Sequence, residues 1–150
     1  MDTSPVIATP RLSLGTSLAA DGDFNGITQE GTAGATLAFG DLCYFAAADS
    51  RWELADASAA STSGEVMLGF CVLAAASDGS ATRMLLYGKI RADAVFPSLT
   101  ISAPVYASED VGDVTQTKPV TTDSVTRVLG FAQDANSIWV NISPMYLTHS

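Results

Sequence analysis

Charge is scarce in this chain. Asp, Glu, Lys and Arg make up 15 % of its 150 residues, where ordinary globular chains carry roughly 25 %. What charge exists is lopsided: 7 basic against 16 acidic residues leave a formal net charge of −9. Without a basic face there is nothing to neutralise a phosphate backbone, so nucleic acid is excluded as the expected partner. Histidine occurs once, as His149. Nucleophilic catalysis of the Ser-His-Asp type needs an imidazole held in place, which a position beside the chain end rarely supplies. The two cysteines, Cys43 and Cys71, form no CxxC and have no His nearby, which excludes the common zinc and thiol-redox patterns. Phosphate-cradling P-loop and GxGxxG sequences are missing too, so no cofactor is expected.

Long hydrophobic runs are also missing. The longest strongly apolar stretch, Val66 to Ala76, falls well short of the ~20 residues a spanning helix needs. The opening residues, Met1-Asp2-Thr3-Ser4-Pro5, have neither the basic nor the apolar part of a secretion signal. The expectation is a chain that meets no membrane and folds in a reducing cytosol, with both cysteines buried as small hydrophobes.

What is present is β-type patterning. From Asp41 onward, short apolar runs alternate with turn residues, and no stretch carries a helical stripe over three turns. Strands are expected over residues 42–46, 52–55, 66–73, 82–87, 89–94, 99–101, 105–107, 113–117, 125–132 and 138–142. A weaker one is expected over 36–39, and residues 55–63 read as a short helix or a loop. The connectors carry Asp, Asn, Ser and Gly, which accept turn dihedrals or cap their own backbone. The expected core is Leu42, Tyr44, Trp52, Leu68, Phe70, Val72, Leu85, Tyr87, Val105, Tyr106, Val128, Phe131, Ile138, Val140 and Ile142. Residues 1–35, with Pro5, Pro10 and scattered glycines, read as an extended N-terminal arm, or a few short strands, ahead of a body over 36–150.

Two blocks of the body look alike. Tyr44 and Tyr106 close similar pentapeptides 62 residues apart, and Leu68-Gly69-Phe70 matches Leu129-Gly130-Phe131 at a spacing of 61. The expected fold is therefore all-β: a small β-barrel or β-sandwich with an internal two-fold pseudo-repeat over about 40–90 and 102–146. The alignment sets Cys43 against Val105 and Cys71 against Ala132, which favours packing over reactivity. Glycine inside an apolar strand, as at Gly69 and Gly130, marks a bulge or a close backbone approach.

Chemistry-bearing motifs are thin. Asp21-Gly22-Asp23-Phe24-Asn25-Gly26 matches the first half of an EF-hand calcium loop, but its twelfth position is Thr32 rather than the bidentate Glu. It reads as a glycine-rich turn, with no metal expected. No two of the sixteen acids are singled out as the carboxylate pair of a glycosidase, and no catalytic residue is assigned.

Three groups of residues resemble small virion structural proteins of tailed phages. They are Gly31 to Tyr44, Trp52 to Ala57 with Leu68-Gly69-Phe70, and Val125 to Ala132 with Ile138 to Pro144. The likeness spans about residues 25–146. It implies a β-rich protein without enzymatic activity, either a capsid decoration (cement) protein or part of a tail fibre. For a decoration protein it further implies a homotrimer on the outer surface of the capsid, with the major capsid protein as partner, assembled in the host cytoplasm. A receptor-binding tail module recognising host glycans is the alternative. Decoration proteins of this kind often grip the shell with an extended N-terminal segment, so Val6, Ile7, Leu12 and Leu14 are the expected capsid or subunit contacts. The acidic run Glu109-Asp110-Val111-Gly112-Asp113 departs from the resemblance.

Overall fold

The computed structural model describes residues 14–15 and 17–150. The chain is almost entirely β. Its strands are β1 (Phe24–Thr32), β2 (Leu42–Ala46), β3 (Arg51–Leu54), β4 (Leu68–Leu73), β5 (Ala81–Arg91), β6 (Pro104–Ala107), β7 (Val114–Thr115), β8 (Val125–Thr126), β9 (Val128–Asp134), β10 (Ser137–Asn141) and β11 (Leu147–Thr148). One π-helical turn, Ala60–Gly64, lies between β3 and β4.

Nine strands share one curled sheet in the order β3-β2-β4-β5-β10-β9-β6-β7, with β1 on the second edge of β5. Every strand pair in it is antiparallel. Strand β5 organises the sheet because it is long enough to serve three neighbours. Its first half pairs with β4 and its second half with β10, while β1 runs along the opposite edge. The curl brings the end of β1 round to β3, where Ala33 bridges Trp52. Strands β8 and β11 form a separate two-stranded ribbon.

The sheet bends where side chains are missing. Gly26 lies opposite Gly88, Gly88 opposite Val140, Val140 opposite Gly130, and Gly130 opposite Val105. This row of contacts crosses five strands. Gly26 and Gly88 hold φ of 138° and 139°, a region open to glycine and closed to most L side chains. A Cβ on Gly88 would stand 2.7 Å from Gly26 Cα, and one on Gly26 would stand 2.8 Å from Gly88 Cα. The two backbones approach this closely only because neither carries a side chain. Glycine kinks of this kind let a sheet curl rather than stay flat. Register shifts in the β1–β5, β4–β5, β6–β9 and β9–β10 pairs add local twist.

Two apolar clusters result. The larger gathers Leu42, Phe70, Leu85, Ile90, Leu129, Ile138 and Val140 on the concave side. The smaller packs Cys43, Trp52, Cys71 and Met84 under the segment carrying Ala33 and Leu37. Strands β2 and β4 are therefore buried on both faces, which is why their sequences run nearly continuously apolar. Phe45 meets Trp52 edge-on at 5.3 Å, and Phe70 meets Phe96 at 6.0 Å, geometries favoured by the ring quadrupoles.

Several expectations need correction. Residues 24–32, placed in the arm, are instead a nine-residue strand inside the sheet. Their polar sequence hides a strand whose pairing is dictated by β5. The expected strand at 36–39 shrinks to a single bridge, Leu37 with Ala75, and residues 99–101 form no strand. The runs 82–87 and 89–94 merge into β5, while 125–132 is split at Arg127. Phe131, expected in the core, is 48 % exposed, because it shares the convex face with its partner Trp139 while the neighbouring Ala132 takes the core-facing position. Tyr44, Tyr87, Val128 and Ile142 are half-buried; the remaining ten core expectations are buried.

The β2–β3 hairpin leads to β4 beside β2, and the β6–β7 hairpin leads through β8, in the separate ribbon, to β9 beside β6. Cys43 stands opposite Gly69, and Val105 opposite Gly130. The halves differ in side-chain placement: Phe70 is fully buried and its aligned partner Phe131 is not.

Cys43 and Cys71 are both buried and free. Burial pushes both thiols above their ordinary range, most strongly at Cys43. A thiol held protonated and covered is a poor nucleophile. Alkylation by iodoacetamide under native conditions is therefore expected to proceed only at the rate of opening, and to become fast in denaturant. Rapid native labelling of either cysteine, followed by mass spectrometry, would contradict this packing.

Candidate functional site

The described residues hold no cluster of three or more His, Cys, Asp or Glu able to bind a metal, and no helix among them is long and apolar enough to cross a membrane. The calcium-like segment is a turn leading into β1. Asp21 accepts the Asp93 N–H at 2.8 Å, Asp23 accepts the Ala20 N–H at 2.8 Å, and Asn25 already belongs to the strand. Asp41 is pushed above the usual carboxylate range by burial, although it accepts the Ala38 N–H and is further raised by Asp113. Its carboxylate caps a turn. His149 is tied by its backbone to Asp123 and Ser124, and its side chain is exposed.

The notable feature is a surface. Directly paired residues in an antiparallel sheet project to the same face. Ile27 pairs with Tyr87, Lys89 with Trp139, and Trp139 with Phe131. Tyr87 and Lys89 are two residues apart on β5 and share that face. The result is a diagonal band, Ile27–Tyr87–Trp139–Phe131, across β1, β5, β10 and β9 on the convex side. Tyr87 and Trp139 meet edge-on at 5.2 Å. Ile27 is 51 % and Phe131 48 % exposed, and the two rings between them are partly open. Asn141 flanks the band opposite Tyr87.

One end of the band is bordered by the incoming chain. The Lys89 ammonium donates to the Gly15 carbonyl, and Lys89 is only 6 % exposed. The Arg91 guanidinium donates to the Leu18 carbonyl at 3.0 Å and grips Asp93 through Nε at 2.7 Å and a second nitrogen at 3.0 Å. That pairing holds Asp93 below the usual carboxylate range. Of the expected contact residues, Leu14 is half-buried; Val6, Ile7 and Leu12 lie outside the described residues.

A second apolar region lies near the C-terminal end. Tyr106, Val128, Met145 and Leu147 line an open groove of about 370 Å³. Met145 and Leu147 are 76 % and 74 % exposed.

Fold and surface together define a curled antiparallel β protein with an exposed apolar band on its convex side. No protein-family model, no curated protein and no solved structure matches the chain.

Proposed function

We propose that this chain is a capsid decoration protein of a tailed phage, binding the outside of the assembled shell as a homotrimer and stabilising it against opening. The phage assignment rests on the resemblance of residues 25–146. The observation that carries the contact role is the exposed band Ile27–Tyr87–Trp139–Phe131 on a chain with so few charges. Contiguous exposed apolar side chains on a soluble β protein mark a surface meant to be covered. A cement protein needs such a surface and needs no reactive site. Binding the assembled shell but not its separated parts stabilises the shell by mass action, and trimerisation multiplies the contacts through avidity.

The test compares particles with and without the protein. Those lacking it are expected to release their genome at a lower temperature and on milder osmotic shock. Equal thresholds would overturn the proposal. A tail module recognising glycans is the second reading, favoured by the partly open Trp139 and Tyr87 beside the exposed Asn141, since sugar recognition pairs ring faces with amide hydrogen bonds. It requires only a few copies per particle, against hundreds for a cement protein. Quantitative gel densitometry against the major capsid protein separates the two.

A further inference from the structure

We infer that Arg127 and a small apolar pocket beside it form a binding site for a small monocarboxylic acid, the guanidinium holding the carboxylate and the pocket its apolar body. A guanidinium carries five N–H donors. Nε of Arg127 donates to the Ser143 carbonyl, and Nη1 donates to those of Ser63, Gly64 and Val66. The two hydrogens of Nη2 have no acceptor among the described residues. Among those residues no carboxylate pairs with the guanidinium either. Glu65, next in sequence to the Gly64 carbonyl, accepts the Tyr146 hydroxyl at 3.0 Å instead. Arg127 is only 8 % exposed. Carbonyl dipoles replace part of its lost hydration but leave its charge without a counter-ion, and a covered cation gains most from an anion brought to it.

The same bonds build the pocket. Gripping the Val66 carbonyl fixes Met67 and Leu68 on one side, and gripping the Ser143 carbonyl fixes Ile142 and Pro144 on the other. With Leu86 of β5 and Arg127 itself, these side chains line a pocket of about 240 Å³. Arg127 is the one charged residue in that lining, and all its other members are apolar. Apolar walls lower the local dielectric and strengthen the pull of the guanidinium on an anion. A carboxylate is the acceptor that such a donor holds best, and the walls ask for an aliphatic or aromatic body behind it. The volume is below the ~300 Å³ at which drug-sized ligand sites begin, so the acid is a small one. This site does not depend on the decoration reading.

Proton–nitrogen NMR of the full chain at neutral pH, with 4-methylpentanoate as the probe, gives the test. The acid is expected to shift the Arg127 Nε–H signal and the Met67 methyl signal together. 4-Methylpentan-1-ol has the same body without the charge, and acetate has the charge without the body. Each is expected to bind about tenfold more weakly or worse. Met67 is 41 % exposed at the rim, so its side chain can be changed without disturbing the core. Met67→Glu sets a competing carboxylate there and is expected to abolish the shift, while Met67→Gln keeps it. An Arg127 Nε–H signal that stays still up to the solubility limit of the acid would overturn the inference. So would equal affinity for the acid and the alcohol, or equal binding by Met67→Glu and Met67→Gln. Shifts confined to Met145 and Leu147 would overturn it too, and would place the acid in the C-terminal groove.

Discussion

Replacing Gly88 by alanine is expected to cost about 4 kcal/mol or more, a large share of the roughly 5–15 kcal/mol that holds an ordinary domain folded. The residue faces a double obstacle. Its φ of 139° lies where an L side chain strains the backbone. Its new methyl group would also press into the Asn25 carbonyl and stand 2.7 Å from Gly26 Cα. Those atoms are backbone, so no rotamer change relieves the clash. Strands β1 and β5 would have to separate, and β5 carries β4 and β10 as well. Gly79→Ala provides the control: its φ is 83°, but nothing lies within 4 Å of the added carbon. Strain alone is expected to cost about 1 kcal/mol there. Urea denaturation followed by circular dichroism distinguishes the two, and comparable midpoints would refute the idea that the glycine row sets the curl.

How much of this was legible in the sequence depends on what each segment answers to. Strands β2, β3, β4, β6 and β10 announce themselves because apolar residues recur at strand spacing between turn residues. Strand β1 does not, since Phe24-Asn25-Gly26-Ile27-Thr28-Gln29-Glu30-Gly31-Thr32 has little alternation and two glycines. It is a strand because β5 offers it a free edge eleven residues long, and no local pattern reports that. Gly88 misled in the opposite direction. It looks like a break between two strands, yet it is the position where one long strand passes closest to its neighbour. The band was equally hidden. Phe131 lies in an apolar run that reads as core, while the expected core positions Ile138, Val140 and Ile142 already leave Trp139 on the other face; only the register shows the two paired on the convex side. The pattern says how apolar a strand is, while the pairing says which side of the sheet receives each residue.

The same distinction accounts for the scarcity of charge. Part of the apolar composition lies inside, in two clusters instead of one, so β2 and β4 have little solvent-facing surface to carry charge. The rest is outside, with Ile27, Phe131, Met145 and Leu147 among the exposed apolar side chains. The few cations that remain are mostly committed to holding segments in place. Lys89 and Arg91 fasten the incoming chain, and Arg51 and Arg83 pair with Asp78 and Glu30 at exposed positions, where such pairs add little stability.

Arg127 is the cation expected to matter most. It sits between β8 and β9 and is 8 % exposed. Its guanidinium donates to four main-chain carbonyls: Ser143 at 2.7 Å, Ser63 at 3.1 Å, Gly64 at 2.8 Å and Val66 at 2.7 Å. No carboxylate pairs with it among the described residues, and burial pulls its pKa below the ordinary arginine value. One side chain thus joins the π-helical turn and the approach to β4 to the segment leading into β11. Arg127→Met keeps the volume and removes every donor, leaving buried carbonyls without partners, at a cost of about 1–3 kcal/mol each where water does not replace the bond. A total loss of about 3 kcal/mol or more is expected in urea denaturation. Arg127→Lys is expected to recover only part of it, because one ammonium has three donors and no planar fork to span both segments. Limited proteolysis should show new cleavage near residues 143–150 in Arg127→Met before the sheet itself unfolds, since the segment leading into β11 loses its tie to Arg127. An unchanged midpoint together with an unchanged cleavage pattern would show that the carbonyls find water as readily as they find the guanidinium.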